Sequence, residues 1–212
     1  MPLPGAEPDS PEAVIAWIHR ESVRHDRFAH VAQRSDEHRA EHDCDVFPSS
    51  DGATLGVIAA ATGAERILEI GCGLGYSALW LAVGSSPDGM VETIERDPLH
   101  VALAHEHVVS EGLDDRITIF EGEATTVLAS LIGPYDLIFV DSDVADYMAH
   151  LDHFSRLLRP RGLLLSSNLF PGQYGPKIAG LENAVAYREC LLEDSQWFTA
   201  FLPNRKALSV HR

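Results

Sequence analysis

Three glycines at alternate positions close a short apolar run in Arg66-Ile-Leu-Glu-Ile-Gly-Cys-Gly-Leu-Gly-Tyr-Ser77, and this stretch limits what the chain can become. Arg66 to Ile70 reads as a buried strand. Gly71, Gly73 and Gly75 then read as a sharp turn in which the missing Cβ atoms let a ligand lie against the main chain. Tyr76-Ser-Ala-Leu-Trp-Leu-Ala-Val83 follows with helical apolar spacing. Its first unpaired N–H groups therefore face the space above the glycines.

The chain after this turn keeps a regular rhythm. Besides Arg66 to Ile70, strands are expected at Met90 to Glu95, Arg116 to Phe120, Tyr135 to Asp141 and Gly162 to Ser167. Helices are expected between them at 76 to 83, 98 to 111, 124 to 132 and 144 to 158, several ended by glycine or proline. Such alternation specifies a parallel sheet covered on both faces, which binds ligands beyond the carboxyl ends of its strands. Leu169-Phe-Pro-Gly-Gln-Tyr-Gly-Pro176 breaks the rhythm as a turn-rich loop over that site, followed by a helix near Ile178 to Leu192. Trp197 to Leu202 and Lys206 to Val210 read as a hairpin that adds an antiparallel strand at the sheet edge.

Before the rhythm begins, residues 1 to 10 read as a loose, proline-rich arm. Ser10-Pro-Glu12 opens a helix whose apolar side is Val14, Ile15, Trp17 and Ile18. From Arg20 to Asp43 the sequence is strongly polar, with Phe28 and Val31 among its few apolar anchors. His38 and His42 stand at i,i+4 and could share a metal on a helix. The plainer reading is a solvated helical face, because no third ligand is fixed by spacing. Val46-Phe47-Pro48 ends this region, and Ser49-Ser-Asp51 can cap a helix running to Gly63. The expected division is an N-terminal arm with polar helices over 1 to 45 and a cofactor-binding domain over 46 to 212.

Composition narrows the partners. With 16 Lys plus Arg against 32 Asp plus Glu, the formal charge is -16 and only Lys177 and Lys206 are lysines. Such a field repels phosphate backbones, so nucleic acid is a poor default partner. Cys44, Cys72 and Cys190 are odd in number and in no metal-like spacing, which suits reduced thiols with no chemical role. No apolar run reaches the ~18 residues of a membrane span and no secretory pattern opens the chain. A cytoplasmic protein is expected.

The spacing Gly-x-Gly-x-Gly differs from the Gly-x-Gly-x-x-Gly of dinucleotide folds, and alone it is weak evidence for any nucleotide. Glu69 adds to it. An acid inside an apolar strand end is costly unless it meets a cationic or hydrogen-bonding partner. Thr93-Ile-Glu95 ends the second strand about 20 residues past the loop, where an acid can accept both hydroxyls of a ribose. The segment around Glu123-Ala-Thr125 can flank an adenine, or be a plain helix cap.

These residues carry a resemblance. Glu69-x-Gly-x-Gly-x-Gly-Tyr-Ser77, Thr93-Ile-Glu-Arg-Asp-Pro98, Gly122-Glu-Ala124, Tyr135-Asp-Leu-Ile-Phe-Val-Asp-Ser-Asp143 with Tyr147, and Leu157-Leu-Arg-Pro-Arg-Gly-Leu163 stand in one order. That order resembles the S-adenosylmethionine-dependent O-methyltransferases, in particular the cation-dependent catechol and caffeoyl-CoA group with its small bacterial members. The similarity covers roughly residues 45 to 212. It implies an α/β, Rossmann-like, doubly wound sheet of seven strands, six parallel and one reversed. It also implies that Glu69 and the backbone at Gly71 lie by the methionine part of the cofactor, with Ser77 near its carboxylate and Gly73 and Tyr76 also among the cofactor-binding residues. Glu95, with Arg96 beside it, matches the ribose acid, Glu123 and Ala124 match the adenine side, and Phe47 falls in the segment at the methyl end. Asp141 matches a carboxylate near the cofactor amine that also binds Mg²⁺.

The pattern departs from the family at the acceptor side. The family reads Asp-x-Asp-Lys where this chain has Val144, and Asp-Asn where it has Ser167-Asn168. The lysine associated with deprotonating the acceptor and one carboxylate ligand are therefore absent. Asp141 and Asn168 remain as the metal candidates, for weak Mg²⁺ binding or none, and Asp141 as the catalytic candidate. His150 and His153 are alternative neutral bases that otherwise read as helix-surface residues.

The leading expectation is O-methylation of a small-molecule acceptor by a homodimer with weak or no metal dependence. A cofactor-binding protein that has lost turnover is the second reading, and a nicotinamide-dependent oxidoreductase a third.

Overall fold

The computed structural model describes residues 10–48, 51–170, 180–203 and 205–212. The expected turn-rich loop beyond Phe170, the serines at 49 and 50 and the start of the helix near Ile178 lie outside the described residues.

Two helices, α1 (Pro11–Arg24) and α2 (Ala29–His42), precede α3 (Gly52–Thr62). Then follow β1 (Arg66–Ile70), α4 (Tyr76–Gly84), β2 (Met90–Glu95), α5 (Pro98–Ser110), β3 (Ile117–Glu121), α6 (Ala124–Ser130), β4 (Tyr135–Val140) and α7 (Tyr147–Leu157). The chain ends with β5 (Leu158–Ser166), α8 (Leu181–Glu193), β6 (Trp197–Phe201) and β7 (Ala207–His211). One seven-stranded sheet runs β3-β2-β1-β4-β5-β7-β6. The first five strands are parallel to their neighbours, and β7 is antiparallel to both β5 and β6. This is the expected Rossmann-like sheet of six strands in one sense and one reversed.

Strand β1 is buried on both faces after its first residue. Leu68 and Ile70 join the layer of α6, α7 and α8 through Tyr147, Phe154 and Tyr187. Ile67 joins the opposite layer of α2 to α5, with Leu55, Leu79 and Val108. Glu69, by the alternation of a strand, projects toward that second layer with no exposed surface. Phe28 and Val31 are fully buried in the same layer, so α2 shares the core of the sheet. Helices α3 and α4 approach closely because both carry glycine at the crossing. A Cβ at Gly84 would lie 2.1 Å from the carbonyl oxygen of Gly56.

Two local expectations shift. Strand β5 begins at Leu158, directly after α7, because Leu158 pairs with Tyr135 before a register break that Pro160 and Gly162 absorb. Asp51 sits at the N-cap of α3 but makes no side-chain cap. Its carboxylate accepts instead from Nζ of Lys206 at 3.0 Å. At α1 the expected cap forms, Ser10 Oγ accepting from Ala13 N–H. Its apolar side, Val14, Ile15, Trp17 and Ile18, stays largely exposed.

Candidate active site

A cavity of about 680 Å³ opens beyond the carboxyl ends of β1 to β4, within the size range of small-molecule sites. Phe47, Gly71, Gly73, Tyr76, Ser77, Glu95, Arg96, Glu123, Ala124, Asp141 and Asn168, all expected in the site, line it. Glu69 lies beneath its floor.

The floor follows from the glycines. Gly71 has φ +95°, and a Cβ there would stand 2.3 Å from the carbonyl oxygen of Asp141. The chain after β1 thus crosses directly against the end of β4, where Asp141 N–H donates to Ile70 C=O at 2.9 Å. Gly75, with φ +90°, is the N-cap of α4 and offers no side chain, so the first N–H groups of α4 point at the cavity. Glu69 Oε2 accepts from Thr93 Oγ1 at 2.6 Å, while Oε1 is buried with no partner. Burial drives the carboxyl up to about 7, against the neighbouring hydroxyls of Ser77 and Thr93 that hold it down. A buried oxygen without a donor beside an uncapped helix start suits the ammonium and carboxylate of an amino acid.

At the end of β2, Glu95 is held by backbone donors. Its Oε2 accepts from Gly73 N–H at 2.8 Å and its Oε1 from Arg96 and Asp97 N–H. Oε1 is thus filled by its two donors, while Oε2 keeps a second lone pair with which to receive a ribose hydroxyl. The adenine-side segment at Glu123 and Ala124 stands at the start of α6. Next to it is His150, which is 3% exposed and pairs with Thr125 Oγ1 at 3.0 Å through Nε2. His150 is thus a cavity residue and not a surface one. Burial lowers its pKa, which keeps the imidazole neutral. His153 contacts Arg156 and does not line the cavity.

The acceptor side is built differently from the family pattern. Val144 is buried in the core beneath α7. Tyr147 Oη receives Ser142 N–H at 3.2 Å and donates to nearby carbonyls, fixing the turn after Asp141. Asn168 Nδ2 donates to Asp141 Oδ1 at 2.6 Å, so the expected metal pair does meet, as donor and acceptor. Burial raises the Asp141 carboxyl to about 6, and the Lys206 ammonium is the main charge that opposes this. Lys206 itself is 6% exposed and paired with Asp51. Phe47 is exposed at the mouth, under the Arg39 guanidinium at 4.4 Å.

His150, an alternative base in the sequence, lines the cavity because it follows Tyr147 by three on the inward face of α7 with Leu151 and Phe154. Other lining residues were not expected. Cys44 and His100 carried no such signal, because only the packing of α2 against α5 brings them together. His38 corrects an expectation: His42 is solvated but His38 is 1% exposed.

Comparison with known proteins agrees with this geometry. The sequence profile of the O-methyltransferase family matches residues 24–185. A provisionally named O-methyltransferase of Mycobacterium sp. (strain JLS) is 31% identical over 212 residues, covering 97% of this chain and 94% of that protein. A catechol O-methyltransferase of Mycobacterium tuberculosis (strain ATCC 25618 / H37Rv) is 35% identical over 125 residues, 58% of this chain and 57% of its own length. Among solved structures, cofactor-bound Rv0187 from MTB is 28% identical with a TM-score of 0.83, covering 97% of this chain and 99% of that one. An O-methyltransferase from Bacillus cereus in complex with SAH, 23% identical with a TM-score of 0.74 over 86% of this chain and 90% of that one, shares the fold. With a shared profile over most of its length and a cavity built for an amino-acid-bearing nucleoside, the chain belongs to the O-methyltransferase family, which draws its methyl group from S-adenosylmethionine.

Proposed function

We propose that the protein methylates a hydroxyl oxygen of a small-molecule acceptor with weak or no dependence on a divalent cation. The observation that carries this reading is the hydrogen bond from Asn168 Nδ2 to Asp141 Oδ1 beside a buried lysine. An Mg²⁺ site wants oxygen donors, often one or two carboxylates with water. Here one carboxylate faces an amide N–H, a serine replaces the second acid, and the charge of Lys206 opposes a further cation. That donor set does not fit Mg²⁺.

The cofactor side does fit. When bound, S-adenosylmethionine supplies an electrophilic methyl on a sulfonium; the carbon–sulfur bond breaks with the electron pair to sulfur as the oxygen–carbon bond forms. The N-terminus of α4 would hold the cofactor's carboxylate and Glu95 its ribose, with the Glu69 carboxylate beneath the floor as the negative charge facing its amino group. Together they fix the donor for in-line displacement, the main source of rate in such a transfer. Asp141, near 6, is ionised at neutral pH and holds the proton that the acceptor hydroxyl loses.

Acidic composition supports a small-molecule acceptor over nucleic acid, and among the described residues no helix is long and apolar enough to cross a membrane. Free cysteines support action in the cytoplasm. The exposed apolar side of α1 supports a homodimer. The test is methyl transfer from labelled S-adenosylmethionine to a panel of phenols and catechols, using protein dialysed free of Mg²⁺. Turnover that millimolar Mg²⁺ leaves unchanged is expected. A rate that depends on added Mg²⁺ would overturn the reading.

A further inference from the structure

At the rim of the cavity, three side chains from separate parts of the sequence converge. His38 comes from the last turn of α2. Cys44 follows the end of that helix, past Asp43, whose left-handed φ of 50° turns the chain back toward the core. His100 comes from the first turn of α5, which Asp97 caps. Ligand atoms of the three lie within 4.8 Å of one another. The His38 and His100 rings meet edge to face at 5.1 Å.

Nothing else in the description accounts for this cluster. His38 is 1% exposed, and its Nδ1 is buried with no hydrogen-bond partner. A buried imidazole nitrogen left unpaired costs on the order of 1–3 kcal/mol. Burial, reinforced by the neighbouring His42 and His100, lowers its pKa, so at neutral pH it is an uncharged ring with a lone pair to give. Cys44 is a free thiol, half-buried at the same rim.

We propose that His38, Cys44 and His100 form a three-ligand site for a zinc-class cation at the mouth of the cofactor cavity. Two imidazoles and a thiolate are borderline-to-soft donors, which select Zn²⁺ and reject Mg²⁺. Ideal Zn–N and Zn–S bonds of about 2.0–2.3 Å put tetrahedral ligands roughly 3.5 Å apart, so closing on an ion takes side-chain shifts of about an ångström. The fourth position opens toward the cavity that Cys44 and His100 line. Nδ1 of His100 is 3.8 Å from Glu95 Oε1, near enough for the ribose acid to become an outer partner of the ligating ring. The ion would staple the chain leaving α2, and with it Val46 and Phe47, to the start of α5. It differs in place and chemistry from the Asp141 and Asn168 pair, and does not depend on how the acceptor is deprotonated.

Titration of the full-length, metal-free protein with Co²⁺ tests the site. One equivalent is expected to bind with a thiolate-to-cobalt charge-transfer band, to be displaced by Zn²⁺, and to raise the melting temperature. Cys44→Ser should abolish the band and His100→Asn should weaken binding at least tenfold. A wild-type circular dichroism spectrum and a cooperative thermal transition will show that each variant is folded. No band in the wild type, or a band that survives Cys44→Ser and so arises from Cys72 or Cys190, would overturn the proposal.

Discussion

Glu69 makes the sharpest prediction because its carboxyl is costly in the empty protein and useful in the complex. Raising it from 4.5 to about 7 corresponds to roughly 3 kcal/mol of ionisation cost. The folded state binds the proton more tightly than the unfolded chain. Stability therefore falls as pH rises from about 4.5 to 7, and the full penalty persists above 7. Glu69→Gln keeps the acceptor for Thr93 and removes that penalty, so the unliganded variant gains up to about 3 kcal/mol at pH 8 and nothing near pH 4. Binding reverses the sign. A cationic amino group favours ionised Glu69, so wild-type affinity for S-adenosylhomocysteine rises about fivefold between pH 6 and 7 and then levels, with a proton released. In Glu69→Gln the affinity is lower and the fivefold rise is gone; only a shallower rise centred near pH 6, from Asp141 and less than about twofold between pH 6 and 7, remains. Urea denaturation of the empty protein and calorimetry in buffers of differing ionisation heat measure both. A variant no more stable than wild type at pH 8, or one that keeps the about fivefold rise between pH 6 and 7, would refute the argument.

Further outcomes are expected around this one. Gly71→Ala forces a Cβ against the Asp141 carbonyl at φ +95°, costing roughly 1–3 kcal/mol of strain, read as a lower denaturant midpoint; an unchanged midpoint would contradict the close crossing. Turnover should rise with pH through about 6 as Asp141 ionises, and a flat profile from pH 5 to 8 would remove it as proton acceptor. Lys206→Met removes the cation that opposes the rise of the Asp141 carboxyl, so the acid limb of that profile should move to higher pH. A limb that stays put would show that Lys206 does not act on Asp141.

The parts of this molecule written in local pattern were legible in its sequence. Strands such as Met90–Glu95 match residue for residue, because a buried parallel strand is a continuous apolar run bounded by turns. The donor pocket was legible for a related reason: Glu69, the glycines and Glu95 sit at strand ends, whose positions the rhythm sets. What escaped was tertiary. Lys206 lies far in sequence from Asp51 and Asp141, and no spacing foretells that β7 delivers an ammonium there. The start of β5 was hidden by Pro160, which ends a helix and can also enter a strand at an irregular edge. His38 looked solvated because its neighbours on α2 are charged, while the ring turns inward toward His100.

We propose an intact donor pocket beside an acceptor side that works with weak or no dependence on a divalent cation. The most direct measurement of this is calorimetric titration of S-adenosylhomocysteine into wild type and Glu95→Ala, each with and without Mg²⁺. Expected is one site per chain, indifferent to Mg²⁺ and weakened at least about tenfold by Glu95→Ala as the ribose loses a charge-assisted hydrogen bond. An absence of binding to the folded wild type, or an affinity that appears only with Mg²⁺, would contradict it.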